Sequence, residues 1–464
     1  MINKNILSDH LSLWGIEDGI CLFKDGSFGF SFHIKPIDIS CYSDESVNQI
    51  RGRLKTFLNS LPKEIDIQFM QSIDQSGTAD FTKHESFASE SPPLIQSLTK
   101  ERAQKFTNLD ILGELPQQEI IFSVRCKLPK DLEPKKSILS AFRTQKSIFQ
   151  MHELDFRNAL KWVKILKQEV ESNLTSTGLM VSGVAASDIV TKVFDIWNPG
   201  HSIGLGDYDT TDLRENLICS EVIKDIKGFS IGGTHHRVVT LKTLPEQTFS
   251  GMAASLLSLP FSSRLYFSVR VPDQDKEIEW LKLNRRLAYS MVMGKKGVSD
   301  IESETKLKDI EVLLNEMIQS GEKIFHAALS IVLRSEDQAV VDSQVGQVLQ
   351  IIREMANSEG FLETYASFDI FSENAFPNST QKERSRRFKT SNVADLIPIF
   401  GLWSGFDSPS VLLRTRAGSL FKFDPFSNLT TNANQIISGG SGSGKSFLTN
   451  LLIGQMLSDR KSVV

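Results

Sequence analysis

Apolar and polar residues first fall into a regular pattern at Cys21-Leu22-Phe23-Lys24, a turn at Asp25-Gly26, and Phe28 to Ile34, where apolar residues alternate. An Asp-Gly pair between two such runs predicts a hairpin, and the alternation predicts one buried face on its second strand. Helical spacing follows from about Ser43 to Leu58, halted before Pro62, and Ile65 to Met70 alternates again as a strand. Next come a helix over about Leu94 to Phe106 and the apolar strand Ile120 to Val124. A long helix near Leu154 to Leu174 carries Phe156, Leu160, Val163, Leu166 and Val170 on one face. A strand at Leu179 to Val181 and a helix from about Ser187 to Trp197 complete the run, which Asn198-Pro199-Gly200 stops.

Beyond about residue 215 the same order returns. Strands are predicted at Arg237 to Leu241, Leu265 to Val271, Ile324 to Val332 and Leu362 to Phe371. Helices are predicted at Pro245 to Leu257 and Asp337 to Met355, with a helical insertion from about Lys276 to Ile318 broken near Gly294 to Ser299. Both halves therefore read β-α-β, helical insertion, β-α-β, the split order of ferredoxin-like units. The residues themselves differ between the halves, so the duplication rests on pattern alone.

Near the end of the chain the pattern changes character. Asn434 to Ser438 reads as a short strand, Gly439-Gly440-Ser441-Gly442-Ser443-Gly444-Lys445-Ser446 follows, and Phe447 to Leu457 is apolar at helical spacing. The eight residues satisfy G-x-x-x-x-G-K-[ST], and strand, loop and helix is the order a phosphate-binding loop needs. Glycines at 439, 440, 442 and 444 let the backbone curl so that its N–H groups point inward, and the helix adds its positive end. Lys445 is expected to reach the β- and γ-phosphates of ATP, and the hydroxyl of Ser446 to ligate Mg²⁺, a hard ion that prefers oxygen. A flexible Gly/Ser linker would have the same composition, but not a strand and an amphipathic helix on either side. Arg460 to Val464 reads as the start of the next strand. The expectation is a binding loop cut short before a Walker B aspartate, a water-positioning residue or an arginine finger, with no catalytic residue beyond the loop itself.

Composition narrows the class. With 464 residues, 40% of them hydrophobic and 23% charged, the chain is ordinary globular material for two or three domains. A formal net charge of −4 offers no general attraction to nucleic acid or anionic lipid, so direct nucleic-acid binding is not indicated. Cysteines at 21, 41, 126 and 219 form no C-x-x-C pair and read as buried thiols in a reducing compartment. No apolar run approaches a membrane span, which suggests a cytoplasmic protein, at most peripheral on a membrane. The basic stretch Gln381 to Lys389 reads as a solvated hinge, with contact to acidic lipid headgroups or a partner's acidic face as the alternative. His235-His236, adjacent on a strand, point to opposite faces and make no metal site by themselves. Asp424 before Pro425 is read as turn chemistry rather than as a catalytic group.

Leu396 to Gly405, Phe423-Asp424-Pro425-Phe426, Asn432, Asn434 and the Gly-Ser-Gly-Ser-Gly-Lys-Ser loop together resemble the conjugative-transfer ATPases of the TraC type. The resemblance implies an α/β chain: an α+β N-terminal region of two ferredoxin-like split β-α-β units with helical insertions, then the start of a RecA-like P-loop NTPase domain. The corresponding division is 1–214, 215–380, a basic linker at 381–395, and 396–464. It implies ATP and Mg²⁺ as cofactors and channel subunits of a type IV secretion or conjugation machine as partners. It also implies a homo-oligomer, a hexamer in the family, docked on the cytoplasmic face of the inner membrane and driving pilus biogenesis and DNA transfer. Two other readings share the loop: a DNA-pumping coupling ATPase of the FtsK/HerA kind, and a docking or assembly module that does not turn over nucleotide.

Overall fold

The computed structural model describes residues 7–74, 81–89, 91–129, 151–201, 213–245, 247–294, 301–380, 382–406, 409–415, 418–427, 432 and 434–456. They form two units, one drawn from 1–71, 120–257 and 264–400, the other from 72–119, 258–263 and 401–464. The class is mixed α/β on a large antiparallel sheet.

The larger unit opens with strands β1 (Leu13–Glu17), β2 (Ile20–Phe23) and β3 (Phe28–Ile34), helix α1 (Asp44–Ser60) and strand β4 (Ile65–Asp74). Helices α2 (Thr82–Phe87) and α3 (Pro93–Ile111) come next and belong to the smaller unit. The chain returns with β5 (Gln117–Cys126), α4 (Glu153–Ser176), β6 (Val181–Gly183), α5 (Ala186–Trp197) and α6 (Leu213–Leu217). Its second half holds β7 (Val222–Lys224), β8 (Phe229–Ile231), β9 (Thr234–Thr243), β10 (Ser263–Arg270), α7 (Gln274–Gly294), α8 (Ile301–Gln319), β11 (Ile324–Ser335), α9 (Gln338–Glu354) and β12 (Glu359–Leu362). Then follow α10 (Ser367–Asn374), β13 (Arg386–Lys389) and α11 (Thr390–Leu396).

Strand pairing gives these elements a repeated plan. In the first half the order across the sheet is β6-β3-β5-β4, and in the second it is β12-β9-β11-β10. The halves meet where β4 pairs with β10. There Glu64 N–H donates to Val271 O (2.8 Å) and Val271 N–H to Ile65 O (3.0 Å), so the start of one strand meets the end of the other. Helices α1 and α4 cover the first half through Ile50, Leu54, Phe57 and Leu58, and through Val163, Leu166, Val170 and Leu174. Phe57 and Phe69 close on Phe122 with ring centroids at 6.0 and 4.8 Å. A second core joins Trp197 of α5, Phe229, Tyr266, Val332, Phe368 and Phe371. Strand β3 is therefore buried on both faces from Phe28 to Phe32, not on the single face that its alternation predicts.

Polar groups are buried where the halves join. Gln68 Nε2 donates to Ser268 Oγ (2.9 Å) and to Asn374 Oδ1 (3.1 Å), Ser268 Oγ donates to the same oxygen (2.9 Å), and Asn374 Nδ2 donates to Ser330 Oγ and Ile370 O (both 3.0 Å). Ser379 Oγ donates to Gln68 Oε1 (3.1 Å). Groups buried this deeply need such partners, because an unpaired donor carries its full desolvation cost.

Several expectations are corrected. The segment predicted as a strand over Leu362 to Phe371 is the end of β12 and helix α10, because Phe368, Ile370 and Phe371 all turn into the core and Asn374 into the polar cluster. The helix predicted over Pro245 to Leu257 is irregular over 247–251, where Gly251 takes a φ of +80°, and among the described residues only Met252–Ser258 coils, as a 3₁₀ turn. Asp395 holds the irregular part, accepting from Thr248 Oγ1 (2.7 Å) and Ser250 Oγ (3.3 Å). The basic stretch is not a solvated hinge: β13 pairs with β11, and its neighbourhood is ion-paired. Arg384 binds Glu363 (2.8 Å), Arg387 binds Glu277 (2.7 Å) and lies 3.7 Å over the Trp280 ring, and Lys389 binds Glu316 (2.8 Å). Only Cys21 and Cys126 are buried, and burial pushes each thiol up to about 12, whereas Cys41 and Cys219 are exposed.

Candidate nucleotide-binding loop

The smaller unit places the glycine-rich loop. It adds strands β14 (Val411–Arg414) and β15 (Leu420–Phe423) and helix α12 (Lys445–Met456). The hairpin registers Val411 with Phe423 and Leu412 with Lys422, so its residues alternate between two surroundings. Leu412 and Leu420 join Phe81, Ala103, Phe106 and Leu115, while Val411 packs with Leu452 and Met456 of α12, backed by Leu413, Phe423, Phe426, Ile437 and Leu448. Leu448, Leu452 and Met456 stand four apart, which sets one face of α12 on the hairpin. Polar bonds fix the same strand: Arg102 Nη2 donates to Leu412 O (2.7 Å), and Leu412 N–H donates to Gln455 Oε1 (3.2 Å).

A third segment lies along β15. Lys422 N–H donates to Ser404 O (2.8 Å), and Phe406 N–H donates to Lys422 O (2.7 Å). The approach passes over Gly405, at φ +93°, where a Cβ would stand 1.8 Å from Lys422 O. No other residue fits that point. Trp403 meets Phe421 edge to face at 5.3 Å, and Phe421 stacks on Phe423 at 6.0 Å. Phe423 and Phe426, two of the residues that carry the family resemblance, thus lie in the platform under α12. Asp424 makes the turn expected of it, its Oδ1 accepting from Phe426 N–H (3.0 Å).

The loop itself, Gly439 to Ser446, is exposed apart from the half-buried Lys445. Residues 434–440 form no strand, in contrast to the expectation for 434–438: no strand among the described residues pairs with them, and Ile436 is 95% exposed while Ile437 packs on the platform. Gly442 and Gly444 take φ of +74° and +84°, left-handed angles that glycine adopts without strain. Helix α12 begins at Lys445, and its first backbone bond runs from Leu448 N–H to Gly444 O (2.9 Å). Among the described residues the N–H groups of Gly444, Lys445, Ser446 and Phe447 meet no protein acceptor. Lys445 folds back over the loop, its Nζ donating to Gly439 O (2.9 Å) and Gly440 O (2.6 Å). The ammonium is thereby held by the carbonyls of the turn, next in the chain to the amides that meet no protein acceptor.

These features define a mixed α/β protein with a glycine-rich, amide-presenting loop at the start of a helix. A family model described as TraC protein matches residues 11–357, well over half of the chain, and the chain belongs to that family. The matched span ends before β13 and the loop. Over 241 residues the chain is also 26% identical to the conjugal transfer protein TrbE of Rhizobium radiobacter, a stretch that is 47% of this chain and 28% of that relative. The match thus spans less than a third of the relative's length. No helix among the described residues is long and apolar enough to cross a membrane.

Proposed function

We propose that the chain is the ATP-binding subunit of a type IV secretion or conjugation machine, energising pilus assembly and DNA transfer. In this reading Gly439, Gly440, Ser441, Gly442, Ser443 and Gly444 surround the phosphates, Lys445 neutralises the β- and γ-phosphates, and the Ser446 hydroxyl ligates Mg²⁺. The observation that carries it is the run of four unpaired amides at 444–447 beside a lysine already held by the carbonyls of Gly439 and Gly440. Such a turn concentrates positive potential on one point, and a polyphosphate supplies the acceptors it lacks. The family and the name of the similar TrbE protein supply the conjugation context.

The remaining architecture is part of the same proposal. Residues 1–214 and 215–380 are two ferredoxin-like units, a reading supported by the strand orders β6-β3-β5-β4 and β12-β9-β11-β10. Residues 396–464 open a RecA-like NTPase domain, with 381–395 joining it to the second unit. Channel subunits, assembly into a hexamer and peripheral placement at the inner membrane follow from the family context. The experiment that tests the nucleotide reading compares Mg·ATP binding by the wild-type chain and Lys445→Ala. The wild type binds, and the variant loses that binding with its fold unchanged.

A further inference from the structure

We infer that Phe447 is the platform on which the base of the bound nucleotide stacks; the inference rests on the nucleotide reading of the loop. Phe447 is the third residue of α12, directly after Ser446. Its neighbours at 448, 452 and 456 turn into the platform, whereas its own ring is 75% exposed and, among the described residues, meets no other aromatic ring. An exposed phenylalanine in the first turn of a helix gains nothing from the core, so the chemistry in front of it decides what it does.

The direction of the nucleotide supplies that chemistry. Lysine in such a loop reaches the β- and γ-phosphates, and the amides cradle the α- and β-phosphates. The last unpaired amides, at Ser446 and Phe447, therefore mark the α-phosphate end, from which ribose and base leave the loop. In that reading the Phe447 ring, exposed and directly after Ser446, is the side chain that the base meets on leaving the loop. Every base has a π-face, and stacking on an aromatic side chain reads the face rather than the hydrogen-bonding edge. The ligand class is thus purine nucleoside triphosphate, with ATP and GTP held about equally and the smaller face of UTP held less well.

The test measures displacement of a fluorescent nucleotide from the 464-residue chain, with Mg²⁺, by ATP, GTP, UTP and inorganic triphosphate. Phe447→Ala removes an exposed ring and leaves no cavity. It is expected to weaken ATP and GTP about ten-fold while leaving inorganic triphosphate unchanged. Phe447→Tyr keeps the wild-type order, and Lys445→Ala weakens all four ligands. Equal loss of ATP and triphosphate in Phe447→Ala, or no loss of either, overturns the platform while leaving the loop as a phosphate site. A change of oligomeric state in Phe447→Ala with an unaltered ratio of ATP to triphosphate binding also overturns it, assigning the ring to a contact between copies. Failure of the wild type to bind ATP and triphosphate alike overturns the nucleotide reading itself.

Discussion

Asn374 ties the two halves of the large sheet together, and its replacement gives the most quantitative test of that join. Its side-chain oxygen accepts from Gln68 on β4 and Ser268 on β10, and its nitrogen donates to Ser330 on β11. In Asn374→Leu the branching of the side chain is kept, but one N–H of Gln68 and the hydroxyl of Ser268 lose their acceptor while both residues remain buried. Each of the two orphaned donors costs about 1–3 kcal/mol, so the variant should lose roughly 2–6 kcal/mol. Removing the donors as well, in Gln68→Met/Ser268→Ala/Asn374→Leu, eliminates both stranded groups while stranding one, the Ser379 hydroxyl that donates to Gln68 Oε1, and should restore about half of the loss. Native-state hydrogen exchange of the β4 and β10 amides is the suitable assay, because a chain of two units need not unfold in one step. A triple variant no more stable than Asn374→Leu would refute the reasoning, since the loss would then come from packing and not from stranded donors.

Two further outcomes follow from single residues. His236 is fully buried against Phe229, with ring centroids 5.0 Å apart, and burial, with Arg334 and Arg264 nearby, lowers its pKa from 6.5 to about 3. The folded state thus binds fewer protons than the unfolded one between those values, so stability is retained above 6.5 and falls as the pH drops toward 3, by at most about 1.4 kcal/mol per pH unit. His236→Phe should flatten urea-unfolding midpoints between pH 7.5 and 5 by that slope; an unchanged pH dependence contradicts the assignment. Gly405→Ala should break the pairing of 404–406 with β15 at a cost of about 1–3 kcal/mol, seen as faster exchange of the Phe406 and Lys422 amides. Wild-type exchange there would show that the strand tolerates a side chain.

Much of the strand and helix order was legible because the longer elements carry their burial in local spacing, as Val163, Leu166 and Val170 do in α4. What was not legible depends on distant partners. Helix α10 follows β12 through a short turn, and Phe368 and Phe371 reveal their helical face only once Trp197 and Phe229 are beside them. The basic stretch looks solvated in sequence because Glu277, Glu316 and Glu363 lie 21 to 110 positions away. Short strands such as β7 and β8 hold three residues each, too few for alternation to declare itself. At the loop, glycines, lysine and serine named the candidate residues. The platform of Phe423, Phe426, Val411 and Leu413 beneath them had no periodic signal, and among the described residues the run 434–438 finds no strand to pair with.

Equilibrium binding of Mg·ATP to the 464-residue chain and to Lys445→Ala, with amide exchange at 444–447 followed in the same samples, tests the central claim most directly. The wild type should bind and slow exchange at those amides. Lys445→Ala, which loses charge-assisted contacts worth about 1.5–3 kcal/mol, should bind at least ten-fold more weakly with exchange in α12 otherwise unchanged. Equal affinity in the two chains, or binding that leaves the amides at 444–447 exchanging as before, would contradict the account.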